Sequence, residues 1–340
     1  MIVVMKTGAD KDKIDAVIGK VTQLGYSPHP IYGEKRTVVA AVGDEREREK
    51  VMEVLANMPD VDHVVPIMKP YKLAGKEVKK DRSVILIDGG VEVGAEKLFI
   101  IAGPCSVEGE EQVVSTARAV KKAGAHALRG GAFKPRTSPY SFQGMEKEGL
   151  KLLATARQET GLPVVTEVMN PKDVDLVEAF ADVMQVGARN IQNFSLLKLL
   201  GELKKPILLK RGMSTNIKEW LMSAEYILSQ GNANVILCER GIRTFETKTR
   251  NTLDLSAVPV LREETHLPVV VDPSHATGYR HLVPPMAYAA VASGADGLMV
   301  EVHPKPDEAM SDGIQSLTFD DFASMMEKVK LFAKAADRSI

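Results

Sequence analysis

The chain has 340 residues, of which 44% are hydrophobic and 26% charged, a composition typical of soluble globular proteins. Its 44 Lys and Arg residues and 45 Asp and Glu residues give a net charge of −1, so no nucleic-acid or membrane partner is indicated. Two cysteines exclude a disulfide scaffold, no apolar run approaches the roughly 18 residues of a membrane span, and no secretory signal begins the chain, so a cytoplasmic enzyme is the expectation.

Residues 1–70 predict a small α+β domain with the element order βαββαβ, the order of the ferredoxin-like unit. Its strands are expected at Ile2–Met5, Ser27–Tyr32, Thr37–Val42 and Val61–Met68, and its helices at Asp10–Leu24 and Glu45–Met58. In the first helix the apolar residues recur at helical spacing. Residues 71–82 are polar and basic and predict a linker to a second domain at 83–340.

The second domain contains eight short apolar runs, each of which leads to a reactive or charged residue. These residues are Cys105, Arg129, Glu167, Arg189, Lys210, Glu239, Asp272 and Glu301. Continuous apolar runs of this length suit parallel strands that are buried on both faces. Eight such strands alternating with helices predict a (β/α)8 barrel, whose active site lies at the C-terminal ends of the strands. A hairpin within Ser83–Val93, split by Gly89-Gly90, is expected to close the opposite end.

Helical patterns fill the gaps between the predicted barrel strands. They cover Glu108–Lys122, Met145–Thr160, Pro171–Phe180, Phe194–Leu203, Ile217–Ser229, Leu253–Glu264, Leu282–Ala292 and Phe319–Ala336. Pro259 argues against a continuous helix over Leu253–Glu264, because proline lacks the N–H that a helix interior needs.

Four potential metal ligands follow the first, seventh and eighth barrel strands. They are Cys105, His275, Glu301 and Asp312. These strands are neighbours once the barrel closes, so we expect the four side chains to meet at the rim. Thiolate, imidazole and carboxylate groups suit a divalent first-row metal such as Mn, Fe, Co or Zn. A lone cysteine is more often a small core residue, which we expect for Cys238, but Cys105 follows Gly103-Pro104 in a turn, and His275 falls in a predicted loop.

Nine basic residues lie on or just after the predicted strand ends. They are Arg129, Lys134, Arg136, Arg189, Lys210, Arg211, Arg240, Arg243 and Arg250. Because so many cations on one rim repel each other, anions must offset them, and arginine binds phosphate and carboxylate through two parallel hydrogen bonds. The rim therefore predicts small substrates with several negative charges. No Walker or Rossmann glycine motif is present, so ATP and NAD are not indicated.

Seven motifs resemble the type I beta class of 3-deoxy-D-arabino-heptulosonate 7-phosphate (DAHP) synthases. They are IAGPCSVE from Ile101, RGGAFKPRTSP from Arg129, QVGARN from Gln185, LKRG from Leu209, CERG from Cys238, VDPSH from Val271 and VEVHP from Val300. The resemblance spans roughly residues 83 to 330, and residues 1–70 resemble the ferredoxin-like regulatory domain of some members.

The resemblance implies that the chain condenses phosphoenolpyruvate with erythrose 4-phosphate and releases phosphate, the entry step of the shikimate pathway. It assigns the metal to Cys105, His275, Glu301 and Asp312. It assigns phosphoenolpyruvate to Arg129, Lys134, Gly187, Ala188, Arg189, Lys210 and Arg240, and erythrose 4-phosphate to Lys134, Pro135, Arg136 and Thr137. Ser138 is a further candidate for substrate binding. Lys134, Glu167 and His275 are the candidate catalytic residues, with either Glu167 or a water on the metal as proton relay. A homotetramer and an aromatic amino acid effector are further implications.

Two other functions compete with this interpretation. One is 3-deoxy-manno-octulosonate 8-phosphate synthase, a related enzyme that uses arabinose 5-phosphate and typically carries Lys-Ala-Asn-Arg-Ser after strand 2. Here Pro135 follows Lys134, which suits the shorter sugar. The other is a non-catalytic anion sensor, which would not need an open Lewis-acid site. For residues 1–70 the alternative to regulation is a domain that only supports assembly.

Overall fold

The computed structural model describes residues 1–33, 36–43, 46–66, 69–135 and 138–340. The chain forms two compact units, one of residues 1–81 with 264–266 and one of residues 82–263 with 267–340. The predicted fold class, a (β/α)8 barrel with an N-terminal ferredoxin-like α+β domain, is confirmed. The linker bounds at 71 and 82 stay a prediction. In the described part of the chain, no helix has the length and apolar character needed to cross a membrane.

The first unit contains a four-stranded antiparallel sheet and two helices. The strands are β1 (Ile2–Met5), β2 (Ser27–Tyr32), β3 (Thr37–Val42) and β4 (Val61–Val65), and the helices are α1 (Lys11–Gln23) and α2 (Arg48–Ala56). The strand order is β2-β3-β1-β4. Alternate residues of β1 and β3, such as Val3 and Val39, pack with Val17 of α1 and Leu55 of α2 in one core. Glu45 and Met68, the predicted ends of a helix and a strand, lie outside the described residues.

The second unit begins with a hairpin and continues into eight parallel strands that close into a barrel. The hairpin strands are β5 (Ile85–Ile87) and β6 (Val91–Val93). The barrel strands are β7 (Phe99–Gly103), β8 (Ala127–Arg129), β9 (Val164–Glu167), β10 (Val183–Val186), β11 (Ile207–Lys210), β12 (Val235–Glu239), β13 (Val269–Val271) and β14 (Gly297–Glu301). In the hairpin Ile85, Ile87 and Val93 pack against inward-facing barrel residues such as Phe99 and Val270. The hairpin therefore fills one end of the barrel, as expected.

Nine α-helices follow the hairpin in the part of the chain that the structure describes. They are α3 (Glu110–Lys122), α4 (Glu146–Thr160), α5 (Val174–Glu178), α6 (Phe194–Glu202), α7 (Ile217–Leu228), α8 (Ala257–Glu264), α9 (Pro273–Thr277), α10 (Val283–Ala292) and α11 (Phe319–Ala335). The predicted helix from Leu253 begins only at Ala257, which places Pro259 in the first turn, where a missing N–H costs no helical hydrogen bond. The predicted helix from Pro171 starts as one 3-10 turn before α5.

His266 gives the first unit an acid-sensitive position. The side chain is buried, with Nε2 2.8 Å from the carbonyl oxygen of Leu73, and burial lowers the pKa of the imidazole to about 4. As pH falls from about 6.5 towards 4, the unfolded chain gains a proton here before the folded chain does. The free energy of unfolding should therefore fall over this window, by on the order of 3 kcal/mol at most.

A His266→Gln variant, which keeps an N–H donor for Leu73, should lose less thermal stability between pH 7 and pH 4.5 than the unmodified protein. Thermal unfolding at both pH values measures this. The exposed His281→Gln serves as the control and should behave as the unmodified protein. An identical pH dependence in all three proteins would contradict the argument.

Candidate active site

The C-terminal ends of the barrel strands surround a cavity of about 390 Å³. It is lined by Arg129, Lys134, Pro135, Ser138, Ser141, Glu167, Gln185, Gly187, Ala188, Arg189, Lys210, Met213, Arg240, Arg250, His275 and Asp312. Every predicted substrate residue that the structure describes is on this cavity. Arg136 and Thr137, predicted for erythrose 4-phosphate, lie outside the described residues.

The four predicted metal ligands meet at the rim of the cavity. One ligand atom from each of Cys105, His275, Glu301 and Asp312 lies within 4.8 Å of the others. His275 Nε2 is 3.3 Å from Glu301 Oε1 and 3.9 Å from Asp312 Oδ2, and Cys105 Sγ is 3.4 Å from Asp312 Oδ2. We call these four residues the ligand set. One thiol, one imidazole and two carboxylates are the donors that a divalent first-row metal accepts, so the residues fit such an ion.

The backbone explains how Cys105 and Glu301 meet. β14 pairs in parallel with β7, and Glu301 stands opposite Gly103, two residues before Cys105. Gly103 has a φ of 153°, and a Cβ there would lie 2.1 Å from the carbonyl oxygen of Arg129, so the close approach of β7 to its neighbour requires glycine. Asp312 has a φ of 52°, a left-handed conformation that aspartate tolerates better than most residues.

His275 lies on a short helix, not in the loop that the sequence predicted. Asp272, which ends the strand run, caps α9 by accepting a hydrogen bond from the backbone N–H of His275 at 3.0 Å. The other oxygen of Asp272 lies 2.7 Å from His275 Nδ1, which leaves Nε2 for the ligand set. Proline at the first helical position favours this turn, so Asp272-Pro273 is a helix start that the prediction missed.

The protonation states of the ligand set suit a cation. Burial raises the pKa of Asp312 and of Glu301, but nearby positive groups outweigh it, and both pKa values lie below their usual range. Burial lowers the pKa of His275, although the charges of Asp272 and Glu301 oppose part of this shift. Burial and the charge of Glu301 raise the pKa of the Cys105 thiol to about 12. A metal would therefore displace the thiol proton on binding.

The predicted ring of nine cations is only partly correct. Arg129, Lys134, Arg189, Lys210, Arg240 and Arg250 line the cavity. Arg211 does not, because its guanidinium lies 2.9 Å from both Glu239 and Asp254 and rests over the Trp220 ring. Arg243 is exposed and is also not on the cavity. The positions of Arg211 and Arg243 after strand ends did not reveal the direction in which either side chain points.

Carboxylates of the protein itself offset part of the remaining charge. Arg129 Nη1 is 2.9 Å from Glu301 Oε1, and Lys210 Nζ is 2.6 Å from Asp272 Oδ2. Among the described residues, Arg189 and Arg240 form no ion pair, and the buried Nε of Arg129 has no hydrogen-bond partner. Arg240 also donates to the backbone carbonyl oxygens of Gly241 and His275, at 3.4 and 3.2 Å. Its remaining N–H groups and those of Arg189 can bind an anion from solution.

Glu167 and Gln185 form a polar pair on the other side of the cavity. Gln185 Nε2 donates to Glu167 Oε2 at 3.0 Å. The sequence interpretation gave no role to Gln185, although a glutamine inside an otherwise apolar strand run is itself a signal. Gln315, which is also buried and bonded to Glu301, was missed because it is the last residue of a short 3-10 turn, which has no regular sequence pattern.

Fold and site together define a barrel enzyme whose cavity suits a small polyanionic substrate and a divalent metal. Residues 77–337 match the DAHP synthetase I family, and residues 1–69 match the DAHP synthase ferredoxin-like domain. The chain therefore belongs to the DAHP synthetase I family. The predicted enzyme class, a transferase of the DAHP synthase type, is confirmed.

Several similar proteins support this membership. Phospho-2-dehydro-3-deoxyheptonate aldolase of Thermotoga maritima is 48% identical over 335 residues, which cover 98% of each chain. The crystal structure of Thermotoga maritima DAHP synthase matches with a TM-score of 0.79 at 47% identity, over 99% of this chain and 98% of that one. A truncated form of the Thermotoga maritima synthase matches with a TM-score of 0.74 at 48% identity, over 79% of this chain and 98% of that chain.

The alternative family branch is also represented, at lower similarity. A 2-dehydro-3-deoxyphosphooctonate aldolase of Methylococcus capsulatus is 34% identical over 260 residues, which cover 70% of this chain and 90% of that protein.

Proposed function

We propose that the chain condenses phosphoenolpyruvate with erythrose 4-phosphate, forming DAHP and inorganic phosphate, in a reaction that depends on a divalent metal. The observation that carries the proposal is the arrangement of the cavity. Two members of a complete ligand set, His275 and Asp312, line the same cavity of about 390 Å³ as six cationic side chains. Two of these cations, Arg189 and Arg240, form no ion pair within the described part of the chain.

The cationic side chains would hold phosphoenolpyruvate by its two anionic groups. Arg129, Arg189 and Arg240 present planar guanidinium groups that suit phosphate and carboxylate, and Lys134 and Lys210 add point charges. A substrate fixed in this way presents its C3 carbon to the second substrate, which lowers the entropic barrier of a bimolecular step. Pro135 and Ser138, on the same cavity, would contact erythrose 4-phosphate.

A divalent ion such as Mn, Fe, Co or Zn held by the ligand set would supply Lewis acidity to the aldehyde oxygen. The electron pair of the phosphoenolpyruvate double bond forms the new carbon–carbon bond. Water then adds at C2, and the resulting hemiketal phosphate loses inorganic phosphate. Glu167 is our candidate for the general base that accepts a proton from this water. Its carboxylate lines the cavity, and Gln185 donates a hydrogen bond to one of its oxygens at 3.0 Å.

The identity of the aldehyde can be tested by competition between two sugars. Phosphoenolpyruvate consumption should be at least about tenfold faster with erythrose 4-phosphate than with arabinose 5-phosphate, which corresponds to about 1.4 kcal/mol in barrier height. Measuring kcat/KM for each sugar with the same enzyme preparation checks this. Equal values, or a preference for the pentose, would favour the alternative branch.

We also propose that residues 1–70 are a regulatory domain that binds an aromatic amino acid, such as tyrosine or phenylalanine, and inhibits the barrel. The match to the DAHP synthase ferredoxin-like domain supports this role, and the unit contains its own apolar core. Linkage between such an effector and the substrates is typically about 1–3 kcal/mol.

A chain that starts at Gly75 should remain active and become insensitive to aromatic amino acids. The truncated Thermotoga maritima form that aligns with 79% of this chain supports the folding of such a barrel. Inhibition assays on both lengths, with each of the three aromatic amino acids, measure the effect. A full-length enzyme that ignores all three, or a truncated one that is still inhibited, would leave only the assembly role.

The homotetramer and the cytoplasmic location stay predictions. Analytical ultracentrifugation of the full-length enzyme tests the homotetramer.

A further inference from the structure

Gln315 joins two charged groups beside the ligand set. Its side chain is buried, with 2% exposed, and its Nε2 donates to Glu301 Oε2 at 2.6 Å. Its Oε1 accepts from Arg250 Nη1 at 3.0 Å. A carboxylate only accepts and a guanidinium only donates, so these two partners fix the orientation of the amide.

The contact determines which oxygen of Glu301 is available. Oε2 is taken by Gln315, whereas Oε1 lies 3.3 Å from His275 Nε2 and 2.9 Å from Arg129 Nη1. Because Glu301 is fully buried, no solvent competes for either oxygen. Gln315 therefore holds one oxygen away from the ligand set and leaves the other within it.

Arg250 makes the corresponding contact with Asp312. Its Nη1 lies 3.3 Å from Asp312 Oδ1, while Asp312 Oδ2 faces Cys105 Sγ and His275 Nε2. The backbone N–H of Arg250 donates to the carbonyl oxygen of Thr277 at 3.0 Å, which anchors Arg250 to the end of α9. One guanidinium thus touches both Gln315 and Asp312.

We propose that Arg250 and Gln315 are positioning residues for the ligand set. Each binds the far oxygen of one carboxylate ligand and so keeps the near oxygen directed at the position of the metal. This inference rests on the proposed metal dependence. Partners of this kind typically contribute 10–100-fold to metal affinity.

The test is the Mn²⁺ affinity of protein that has first been stripped of metal, measured by titration calorimetry. Gln315→Met preserves the length of the side chain and removes both hydrogen bonds, and we expect about 10–100-fold weaker binding. Arg250→Gln should weaken binding in the same direction. The double variant should lose less than the sum of the two effects, because both residues belong to one network. In activity assays of Gln315→Met the half-saturating Mn²⁺ concentration should rise while kcat at saturating Mn²⁺ largely recovers.

Gln185→Met is the matched control, since Gln185 is a buried glutamine that donates to a carboxylate outside the ligand set. It should bind Mn²⁺ within about threefold of the unmodified protein, a smaller change than the effect of an outer-shell ligand partner. If Gln315→Met fails to fold, Arg250→Gln carries the test, because that side chain is 39% exposed. An unchanged Mn²⁺ affinity in folded Gln315→Met or in folded Arg250→Gln would overturn the positioning role and leave the proposed metal dependence intact. Absence of Mn²⁺ binding by the unmodified protein would overturn the metal dependence with it.

Discussion

Replacing Cys105 with Ala should lower kcat at least about 100-fold, equivalent to about 2.7 kcal/mol in barrier height, and weaken Mn²⁺ binding. Cys105 is the only sulfur donor of the ligand set, and its Sγ lies 3.4 Å from Asp312 Oδ2. Alanine offers no donor in its place. Lys134 Nζ loses its contact with the Cys105 sulfur, at 3.0 Å, but keeps its hydrogen bond to the carbonyl oxygen of residue 105 at 2.8 Å, so the local structure should survive. Steady-state kinetics and Mn²⁺ titration measure the two effects.

Cys238→Ala provides a chemically identical control in the same barrel. Cys238 is fully buried, and its side chain packs in the barrel core with residues such as Ile236. The control should bind Mn²⁺ as the unmodified protein does. Comparable losses of metal affinity in both variants, or full activity of metal-free Cys105→Ala, would remove the ligand role from Cys105.

Lys210→Met should lower kcat/KM for phosphoenolpyruvate by at least about 10³-fold, or roughly 4 kcal/mol. The ammonium group at the end of β11 lies on the cavity, 2.6 Å from Asp272 Oδ2. Its removal takes a positive charge from the substrate site. It also leaves Asp272, which is fully buried and holds His275 Nδ1 at 2.7 Å, with less compensation of its charge. Both effects lower kcat/KM for phosphoenolpyruvate.

Lys205→Met tests whether the effect belongs to the cavity. Lys205 precedes the opposite end of β11 and donates to the carbonyl oxygen of Glu178 at 2.8 Å, away from the cavity lining. The kcat/KM of this variant for phosphoenolpyruvate should stay within about threefold of that of the unmodified enzyme. Such a change is well under the roughly 1.4 kcal/mol that corresponds to a tenfold change. Thermal unfolding of both variants separates lost activity from lost structure. A Lys210→Met enzyme with ordinary kcat/KM would exclude Lys210 from the substrate site.

The barrel was predictable because each of its strands is buried on both faces. In the run that forms β11, for example, Ile207, Leu208 and Leu209 are all fully buried, and the first polar residue, Lys210, marks the strand end. Strand ends in a closed parallel barrel meet at one rim, so the ligand set followed from the same pattern. The structure places its four donors within 4.8 Å of one another.

What the sequence did not reveal was the direction of side chains beyond the strand ends. Arg211 immediately follows Lys210, yet its guanidinium packs on Trp220 and pairs with Glu239, because successive residues at a strand end point to opposite sides. The position of the Gln315 side chain depends on contacts with Glu301 and Arg250, which are distant in the chain. No local periodicity encodes such contacts.

The most direct test of the central claim measures phosphate release from phosphoenolpyruvate and erythrose 4-phosphate by full-length enzyme. The enzyme is first stripped of metal with a chelator and then supplied with Mn²⁺. We expect no turnover in the stripped sample, and after Mn²⁺ addition one phosphate and one seven-carbon sugar phosphate for each phosphoenolpyruvate consumed. Full activity of demonstrably metal-free enzyme would contradict the account, as would a metal-loaded enzyme that leaves both substrates unchanged.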